Sequence, residues 1–489
     1  MLTPRRLNFS LKPLSLESDN ALLAFSNLRS RFNFPCLLES ARGADKLTEL
    51  SIVVFDPTFI FRASEGQVEI EDRIDSTGKS SILQSQDPLE TLQEVMRSFR
   101  SSSSGLRFLG GALGYISYDA IRYWVDLERK NNGAEGRERR KSSHQEGENK
   151  RSSSFPDMEF GLYEEGLVFD NIGGKAHYFC SDRIKDRSKE VEEVCNNKAA
   201  EPPARLGISK PVSNMKKEEF ESSVTRAKEY IRAGEIFQVV LSKKYSFNVS
   251  GDLLRFYTEL RRLNPSPYMY YLDLGSTKIA GSSPEMLVRV DGSEVETFPI
   301  AGTRPSSSDE VENQRLGEQL LADPKERAEH VMLVDLARND IGRIAQFGSV
   351  KLGEFMQVHR YSHVQHIVSQ VTGKLKQNLS SFDAMRSLFP AGTVSGAPKI
   401  RAMQIIDELE RDPRGPYAGA LGYFTFNGNM DFAITIRTLV SRDGEASVQS
   451  GAGIVADSIP ETEWYETERK SEALIRALER TTTGEKRED

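Results

Sequence analysis

Residues 389–399 read FPAGTVSGAPK, a loop of small residues that leads into a predicted helix at 399–410. Backbone N–H groups at the start of a helix favour an anion, and glycines would let that ligand approach closely. Gly451, Ala452 and Gly453 predict a second loop of this kind, which would bind a carboxylate through its N–H groups. A tight turn without a ligand explains each sequence as well, and residues 389–399 match no nucleotide-binding motif.

Two pairs of glutamates near predicted helix starts are candidate ligands for a hard cation. Asp323 predicts a helix cap and Pro324 the first helical position, so each acidic pair, spaced by three, would lie on one helix face. Carboxylate oxygens suit Mg²⁺, which keeps some waters free for a substrate. Acidic residues also stabilise first helical turns without any metal, so spacing alone leaves both interpretations open. The four residues are Glu326, Glu329, Glu463 and Glu466.

Three histidines crowd one short segment. On a helix, the spacing of His359, His363 and His366 would place all three on one face and suggest a metal site. The surrounding β-branched and aromatic residues make a strand equally compatible, and on a strand neighbouring histidines would diverge. A single histidine that acts as an acid or base is then the better hypothesis.

Composition excludes several classes of protein. The net charge is −7 over 489 residues, which argues against a nucleic-acid binder, and no apolar run is long enough to span a membrane. Three cysteines without a C-x-x-C spacing argue against disulfides and predict a reducing compartment. The chain begins without an apolar signal segment, so we expect a cytoplasmic protein.

The order of predicted elements indicates antiparallel sheet with helices packed on it. Residues 20–125 and 157–195 have mixed α/β character, with strands expected at Ser51–Phe61 and Glu165–Phe179. Residues 130–154 contain one apolar side chain and predict a disordered surface insertion. A helix at Lys216–Ala233, capped by Asn214, follows a weak proline-containing linker. Hairpins are predicted at Asp291-Gly292, Asn427-Gly428 and Asp443-Gly444, and further helices at 310–322, 325–338, 380–389, 399–410 and 461–480.

The motifs, taken in their order along the chain, resemble those of the chorismate-utilising enzymes. The resemblance runs from about Pro211 to Arg480 and includes Pro299–Pro305, the glutamate pairs, 392–399 and 451–454. It implies an α/β (α+β) fold in which two antiparallel sheets form a sandwich with helices outside. The implied organisation is an N-terminal α/β region at 1–195, a linker at 196–213, a catalytic chorismate-binding domain at 214–480 and a polar tail at 481–489.

Two positions point to the branch of the family. Isochorismate and salicylate synthases resemble this chain but carry a water-activating lysine where this chain has Gln238, and 4-amino-4-deoxychorismate synthases often carry a reactive lysine in place of Ala301. Neither Gln238 nor Ala301 can do the chemistry of the lysine at its position. This favours the ammonia-using anthranilate synthase branch, in which pyruvate is the second product. The 4-amino branch, aminodeoxychorismate synthase, stays the alternative, and a non-catalytic tryptophan-sensing relative ranks below it.

The resemblance also assigns roles to individual residues. Mg²⁺ would bind the four glutamates, with Glu326 also counted as catalytic, and His366 would protonate the leaving 4-hydroxyl. Leu37–Ser40 together with 264–269 resembles the tryptophan feedback site of the anthranilate synthases. Chorismate would contact Gly302, Thr303, Tyr417, Arg437, Gly451, Ala452, Gly453 and Lys470, with Thr303 also catalytic; tryptophan would contact Ser40, Pro267, Tyr268 and Met269.

The ammonia source is expected on another chain. A fused glutaminase would need a cysteine nucleophile in a glycine-rich elbow with a downstream histidine, and none of the three cysteines has those surroundings. We therefore predict a hetero-oligomer with a glutamine amidotransferase subunit (component II) that delivers ammonia through an internal channel.

Overall fold

The computed structural model describes residues 5–40, 50–74, 79–101, 106–127, 153–197, 204–307, 309–360 and 364–483. The predicted disordered insertion therefore lies outside the described residues, apart from its last two. His363 and the tail beyond Thr483 lie outside them too.

One large sheet has thirteen strands in the described part of the chain, all paired antiparallel. It draws on both halves of the sequence, because residues 36–39 and 50–54 lie between the later residues 268–273 and the N-terminal residues 165–170. In spatial order its strands are β13 (Gly207–Ile208), β15 (Gln238–Ser250), β29 (Glu445–Ile454), β28 (Thr438–Arg442), β17 (Thr277–Ser283), β16 (Tyr268–Asp273), β3 (Cys36–Glu39), β4 (Leu50–Val54), β11 (Glu165–Asp170), β12 (Lys175–Ser181) and β2 (Phe9–Pro13), with β14 (Val212–Ser213) and β25 (Gly396–Ala397) also paired to β15.

The second large sheet has eleven described strands and again mixes early and late segments. At its centre, residues 420–425 pair with residues 111–116. In spatial order its strands are β21 (Lys351–Leu352), β24 (Val371–Lys374), β19 (Glu294–Thr297), β18 (Met286–Asp291), β27 (Met430–Ile434), β26 (Ala420–Thr425), β9 (Gly111–Ile116), β10 (Met158–Tyr163), β5 (Phe59–Ser64), β6 (Gln67–Asp72) and β7 (Lys79–Gln84).

Two smaller sheets complete the described strands. β20 (Ile300–Pro305), β23 (Val364–Val368) and β22 (Gln357–Arg360) form an antiparallel three-stranded sheet, whereas β1 (Arg5–Leu7) pairs in parallel with β8 (Phe99–Ser101). The ten described α-helices are α1 (Ala21–Leu28), α2 (Pro88–Arg97), α3 (Ser188–Cys195), α4 (Lys217–Arg232), α5 (Leu253–Leu263), α6 (Glu310–Ala322), α7 (Pro324–Ile344), α8 (Ser381–Leu388), α9 (Lys399–Leu409) and α10 (Pro460–Thr483).

The two large sheets pack face to face. Tyr115 and Tyr423 of the eleven-stranded sheet and Tyr270 and Phe179 of the thirteen-stranded sheet share one buried cluster. Helices α1, α3, α5 and α10 cover the outer face of the larger sheet, while α2, α7 and α8 cover the smaller one. Burial of apolar side chains between these layers is the main source of stability. The predicted sandwich with outer helices is confirmed.

Turn chemistry predicted the local elements well. All three Asx-Gly pairs connect adjacent antiparallel strands, at β18–β19, β26–β27 and β28–β29. The helix predicted at 310–322 is observed as Glu310–Ala322, and Asp323 caps the next helix by accepting from the N–H groups of Lys325 and Glu326. The cap predicted for α4 was wrong: Lys216, not Asn214, is its N-cap, and the Glu219 carboxylate accepts from the Lys216 N–H at 2.8 Å.

Several predicted boundaries also need correction. Ser51–Phe61 contains two strands, β4 and β5, because the chain turns at Asp56, which has a positive φ of 47°. Glu165–Phe179 is likewise a hairpin of β11 and β12. The stretch assigned to a linker contains β13 and β14, which pair with β15, and helix α10 continues into the predicted tail as far as Thr483.

Cys36, Cys180 and Cys195 are buried free thiols. Within the described ranges, no helix is both long and apolar enough to cross a membrane.

Candidate active site

The three-stranded sheet holds His366 against a bulged loop. Residues Ala301 and Arg304 pair with Ile367 and Gln365, so Gly302 and Thr303 both lie opposite His366. Gly302 has a φ of 68°, in the left-handed region that favours glycine, and a β-bulge of this kind re-aims side chains. The His366 Nδ1 lies 2.7 Å from the Gly302 carbonyl and 3.1 Å from the Thr303 hydroxyl.

His366 is uncharged at neutral pH. Burial lowers its pKa to about 4, the Gly302 carbonyl opposes that shift, and the nearby cations of Arg437 and Lys470 add to it. The contact with Gly302 therefore places the ring proton on Nδ1, which donates to the carbonyl oxygen.

The histidine segment is a strand pair, so the helical three-histidine face is wrong. His359 on β22 is the register partner of His366 on β23, and the His359 Nε2 lies 3.0 Å from the Glu354 carboxylate. β-Branched and aromatic neighbours favour strands, which agrees with the strand interpretation of this segment.

The four predicted metal ligands come from the starts of two helices. Glu326 lies beside the bulge, since a Cβ at Gly302 would be 3.0 Å from its carboxylate, and the Arg304 guanidinium donates to it at 3.2 Å. Burial raises the pKa of Glu329, and the negative charges of Glu326 and Glu466 raise it further. Burial also raises the pKa of Glu463, again with a contribution from Glu466.

This donor set fits a hard divalent cation in its chemistry. The charges of Glu326 and Glu466 raise the pKa of Glu329, and that of Glu466 raises the pKa of Glu463, so a cation among these groups would relieve the repulsion. The side chains themselves are not gathered: in the described ranges, no group of three or more His, Cys, Asp or Glu residues is arranged to hold a metal ion. Instead the ammonium group of Lys470 pairs with Glu466 at 2.7 Å and donates to the Gly451 carbonyl at 3.0 Å.

Gly451, Ala452 and Gly453 lie in strand β29 rather than in a loop, which corrects the prediction. They pair with Ser242, Leu241 and Val240 of β15. Both glycines make room for neighbouring side chains on the inner face of the sheet. A Cβ at Gly451 would lie 2.8 Å from the Tyr417 hydroxyl, and a Cβ at Gly453 would lie 2.6 Å from the Gln238 amide. The Gln238 amide also donates to Glu329 at 3.1 Å, which connects this face of the sheet to one of the four predicted metal ligands.

Arg437 is a cation without a carboxylate partner. It has a positive φ of 50°, and its guanidinium donates to the neutral Asn264 side chain at 3.4 Å. No carboxylate among the described residues lies within ion-pair distance of it, and burial lowers its pKa. A partly buried guanidinium without a carboxylate partner is suited to bind an anion. The Tyr417 hydroxyl lies beside Gly451 and has no hydrogen bond to another described residue.

Glu285 is an acid in the same region that the sequence did not predict as a site residue. It follows β17 within the run Ser283-Pro284-Glu285 and is only 8% exposed, with the Thr393 hydroxyl donating to it at 2.9 Å. Burial raises its pKa to about 8, although Thr393, Lys470 and Arg437 lower it. Glu285 is therefore protonated at neutral pH. The available signal was an ionisable residue directly before the apolar run Met286–Val288.

The loop at 389–399 is explained by packing. A Cβ at Gly392 would lie 2.1 Å from the Leu336 side chain, and one at Gly396 would lie 2.2 Å from the Gln238 carbonyl. Lys399 pairs with the buried carboxylate of Asp340 at 2.7 Å. The anion site at this helix start stays a prediction, and the loop positions Thr393 beside Glu285.

The four residues assigned to tryptophan line one cavity in the sandwich. Their neighbours there include Leu38, Tyr423 and Asp431. The Ser40 hydroxyl donates to the Pro267 carbonyl, and the Tyr268 hydroxyl donates to Asp431 at 3.0 Å. The four residues are Ser40, Pro267, Tyr268 and Met269.

The sequence profile of the chorismate binding enzymes matches residues 35–476. The chain belongs to this family. Anthranilate synthase component 1 from Methanothermobacter marburgensis is 45% identical over 95% of this chain and 94% of that protein. Anthranilate synthase component 1 from Aquifex aeolicus is 42% identical over 96% of this chain and 95% of that protein. The crystal structure of anthranilate synthase component I from Streptococcus pneumoniae has a TM-score of 0.72 and 38% identity, and it covers 88% of this chain and 95% of that one. The predicted resemblance is thereby confirmed.

For this chorismate binding enzyme, the protonated state of Glu285 predicts a distinctive pH dependence of stability. The carboxyl loses its proton near pH 4.5 when the chain is unfolded and near pH 8 when it is folded. Stability therefore falls as the pH rises through this window, by at most about 1.4 kcal/mol per pH unit. In Glu285→Gln this contribution is absent, so the variant should gain stability relative to wild type between pH 5 and pH 8.

Denaturant unfolding at pH 5, 6, 7 and 8 measures the difference, with the exposed Glu318→Gln as control. Parallel profiles for wild type and Glu285→Gln would contradict the assignment of a buried neutral acid.

Proposed function

We propose that this chain is the synthase subunit that converts chorismate and ammonia to anthranilate, pyruvate and water. The observation that carries the proposal is the cation of Arg437, which has no carboxylate partner among the described residues and lies near the neutral acid Glu285. The Tyr417 hydroxyl adjoins Gly451 on the inner face of the sheet. The named relatives at 38–45% identity support the same conclusion.

The site contains groups suited to a substrate with two carboxylates. The planar guanidinium of Arg437 and the hydroxyl of Tyr417 would bind the enolpyruvyl carboxylate, since charge-assisted hydrogen bonds are strong where water is excluded. Gly302, Thr303 and the inner face at Gly451–Gly453 would contact the ring without steric hindrance. Lys470 would bind the second anion once it is released from Glu466.

Proton donation is best assigned to Glu285. Loss of the 4-hydroxyl as water needs an acid that still holds a transferable proton at neutral pH. The Glu285 carboxyl does so, whereas His366 is a neutral imidazole whose one ring proton is bound to the Gly302 carbonyl. His366 would instead hold the Gly302–Thr303 bulge in place through its Nδ1 proton. Ammonia forms the new bond at C2 as the 4-hydroxyl leaves, and loss of pyruvate then makes the ring aromatic.

Mg²⁺ belongs to the proposal as the expected cofactor. Glu329 and Glu466 would be its direct ligands, and Glu326 and Glu463 would bind directly or through water. When bound, the ion supplies positive charge that stabilises the ring carboxylate and the charge that develops during substitution. Gln238 donates to Glu329 and orients it.

Feedback inhibition by tryptophan is proposed from the cavity at Ser40. The segment 264–269 connects this cavity to the active site, because Pro267 accepts from Ser40 while Asn264 accepts from Arg437. A ligand that moved this segment would change the position of Arg437, which gives the two sites a physical coupling.

The partner is proposed to be a glutamine amidotransferase subunit, since the name component 1 of the relatives implies a second component. We also propose that this protein is located in the cytoplasm.

The proposal predicts anthranilate formation by the isolated chain. Purified protein with chorismate, Mg²⁺ and an ammonium salt at alkaline pH should produce fluorescent anthranilate and one pyruvate per anthranilate. Glu329→Gln should abolish this activity, whereas the exposed Glu318→Gln should retain it. A product that a lyase converts to 4-aminobenzoate would instead place the chain in the aminodeoxychorismate branch, and full activity of Glu329→Gln would refute the metal role.

The tryptophan site predicts a selective loss of regulation. Ser40→Phe removes the hydroxyl that binds Pro267, and the phenyl ring fills the cavity. The tryptophan concentration for half-inhibition should therefore rise by about tenfold or more. The uninhibited rate should stay close to that of wild type. Ser10→Phe, on an outer strand away from the cavity, serves as control. Unchanged inhibition of Ser40→Phe would exclude this cavity as the tryptophan site.

A further inference from the structure

A charged side chain is buried beneath helix α10, on the side of the sheet away from the proposed substrate position. Lys243 lies on the outer face of β15, and its side chain is 0% exposed. A buried ammonium group is unfavourable unless it is paired and hydrogen-bonded. This one pairs with the Glu468 carboxylate and donates to the Tyr245 hydroxyl at 3.2 Å. It also lies 3.4 Å from the centre of the Trp464 ring, a favourable position for a cation.

Two of these partners belong to α10 and lie on one side of the helix. Trp464 and Glu468 are four residues apart, a spacing that places side chains one above the other on one face. The Tyr245 hydroxyl donates to Glu468 at 2.6 Å. The Trp464 ring also packs against Phe220 of α4, with 5.8 Å between the ring centres. Lys243 therefore joins one flank of α10 to strand β15.

The predicted metal ligands of α10 are placed by the same helix. Glu463 directly precedes Trp464 and is 7% exposed. Because an α-helix advances by 100° per residue, Glu466 lies on the side of the helix opposite Trp464 and Glu468. A rotation of α10 about its axis would thus move both carboxylates, although neither touches Lys243.

The contact made by Lys243 is directional, unlike the apolar packing around it. Apolar burial depends on area and is not directional, so by itself it permits small rotations of a helix. Ser450, the register partner of Lys243 on β29, donates to the Thr467 carbonyl at 2.8 Å and is a second polar anchor for α10. A buried ion pair is often no more stable than apolar side chains of the same size. Its use here is explained if it specifies the position of the helix.

We propose that Lys243 is a positioning residue, which fixes the rotation of α10 and so sets the affinity of the acidic cluster for its divalent cation. The inference rests on the proposed function and adds to it a residue that touches neither substrate nor metal. The acidic cluster consists of the four predicted metal ligands, Glu326, Glu329, Glu463 and Glu466.

Electrostatics alone predicts the opposite effect of Lys243. By Coulomb's law, removal of a nearby positive charge would favour the binding of another cation. A weaker affinity for the cation after the loss of Lys243 would therefore report on the position of α10 and not on the charge itself.

Lys243→Met tests the proposal, with Mn²⁺ as the probe. Electron paramagnetic resonance of free Mn²⁺, at saturating chorismate and without ammonia, gives the dissociation constant. It should rise by about tenfold in Lys243→Met, as it does when groups that orient metal ligands are removed. The Mg²⁺ concentration for half-maximal anthranilate formation should rise by the same factor, while the rate at saturating Mg²⁺ stays near that of wild type. Lys243→Arg keeps the charge and can stack on the Trp464 ring, so its Mn²⁺ affinity should be close to that of wild type.

A matched control and a stability measurement accompany this variant. Lys278→Met, on β17 of the same sheet, loses an ion pair with Asp273 and should bind Mn²⁺ as wild type does. Denaturant unfolding should show that Lys243→Met is as stable as wild type or more stable, because apolar replacement of a buried charge pair is often neutral or stabilising. Loss of affinity without loss of stability is the result that a merely structural role would not give.

The outcomes separate this inference from the function beneath it. A wild-type chain that makes no anthranilate from ammonium salt, or makes it without a divalent cation, would refute the proposed function before any variant is compared. Unchanged Mn²⁺ affinity of Lys243→Met would overturn the inference, whatever the stability of the variant. Equal weakening in Lys243→Met and Lys278→Met would overturn it too. If Lys243→Met does not fold, Trp464→Leu, which removes the ring contact without a change of charge, decides in the same assay.

Discussion

The antiparallel pairing of β15 with β29 is the interaction on which the rest of the site depends. Ten consecutive residue pairs join Val239–Asn248 to Glu445–Ile454. Because side chains alternate along a strand, one face of this ladder presents Gln238, Gly451 and Gly453 to the interior, and the other supports helix α10. Lys243 on that outer face pairs with Glu468 and lies 3.4 Å from the centre of the Trp464 ring. The same ladder thus fixes both the substrate face and the helix that carries Glu463 and Glu466.

The electrostatics of the site show a consistent pattern. Arg437 has no carboxylate partner among the described residues, Glu285 is kept neutral by burial, and the acidic cluster repels itself. Each arrangement is unfavourable in the protein alone, and each becomes favourable when a dianionic substrate and a divalent cation are added. Structural ion pairs elsewhere in the chain, such as Arg414 with Glu410, are fully matched, so the unmatched charges mark the functional region.

Local features were predictable from sequence because local physics determines them. Aspartate and asparagine before glycine gave all three hairpins, and Asp323 with Pro324 gave the start of α7. The glutamate pairs were identified through spacing and resemblance. Long-range pairing was not predictable in this way: nothing local in Cys36–Glu39 indicates that this strand lies beside Tyr268–Asp273, although the resemblance did link Ser40 to Pro267.

The errors have physical causes as well. Gly451–Gly453 suggested a loop because glycine weakens strands, but here the missing Cβ atoms make room for Tyr417 and Gln238. Glu285 was overlooked because its neutrality depends on burial, which is a property of the folded state. The unmatched charge of Arg437 could likewise be recognised only once its surroundings were known.

The central claim is that Arg437 is held without a carboxylate partner in order to bind a carboxylate of the substrate. Calorimetric titration of chorismate into wild type and Arg437→Met, with Mg²⁺ and without ammonia, tests it most directly, with denaturant unfolding of both proteins alongside. The account predicts that binding weakens by about 10–100-fold while the free energy of unfolding stays the same or rises. Unchanged chorismate affinity combined with a large loss of stability would show that Arg437 is a structural cation and would contradict the account.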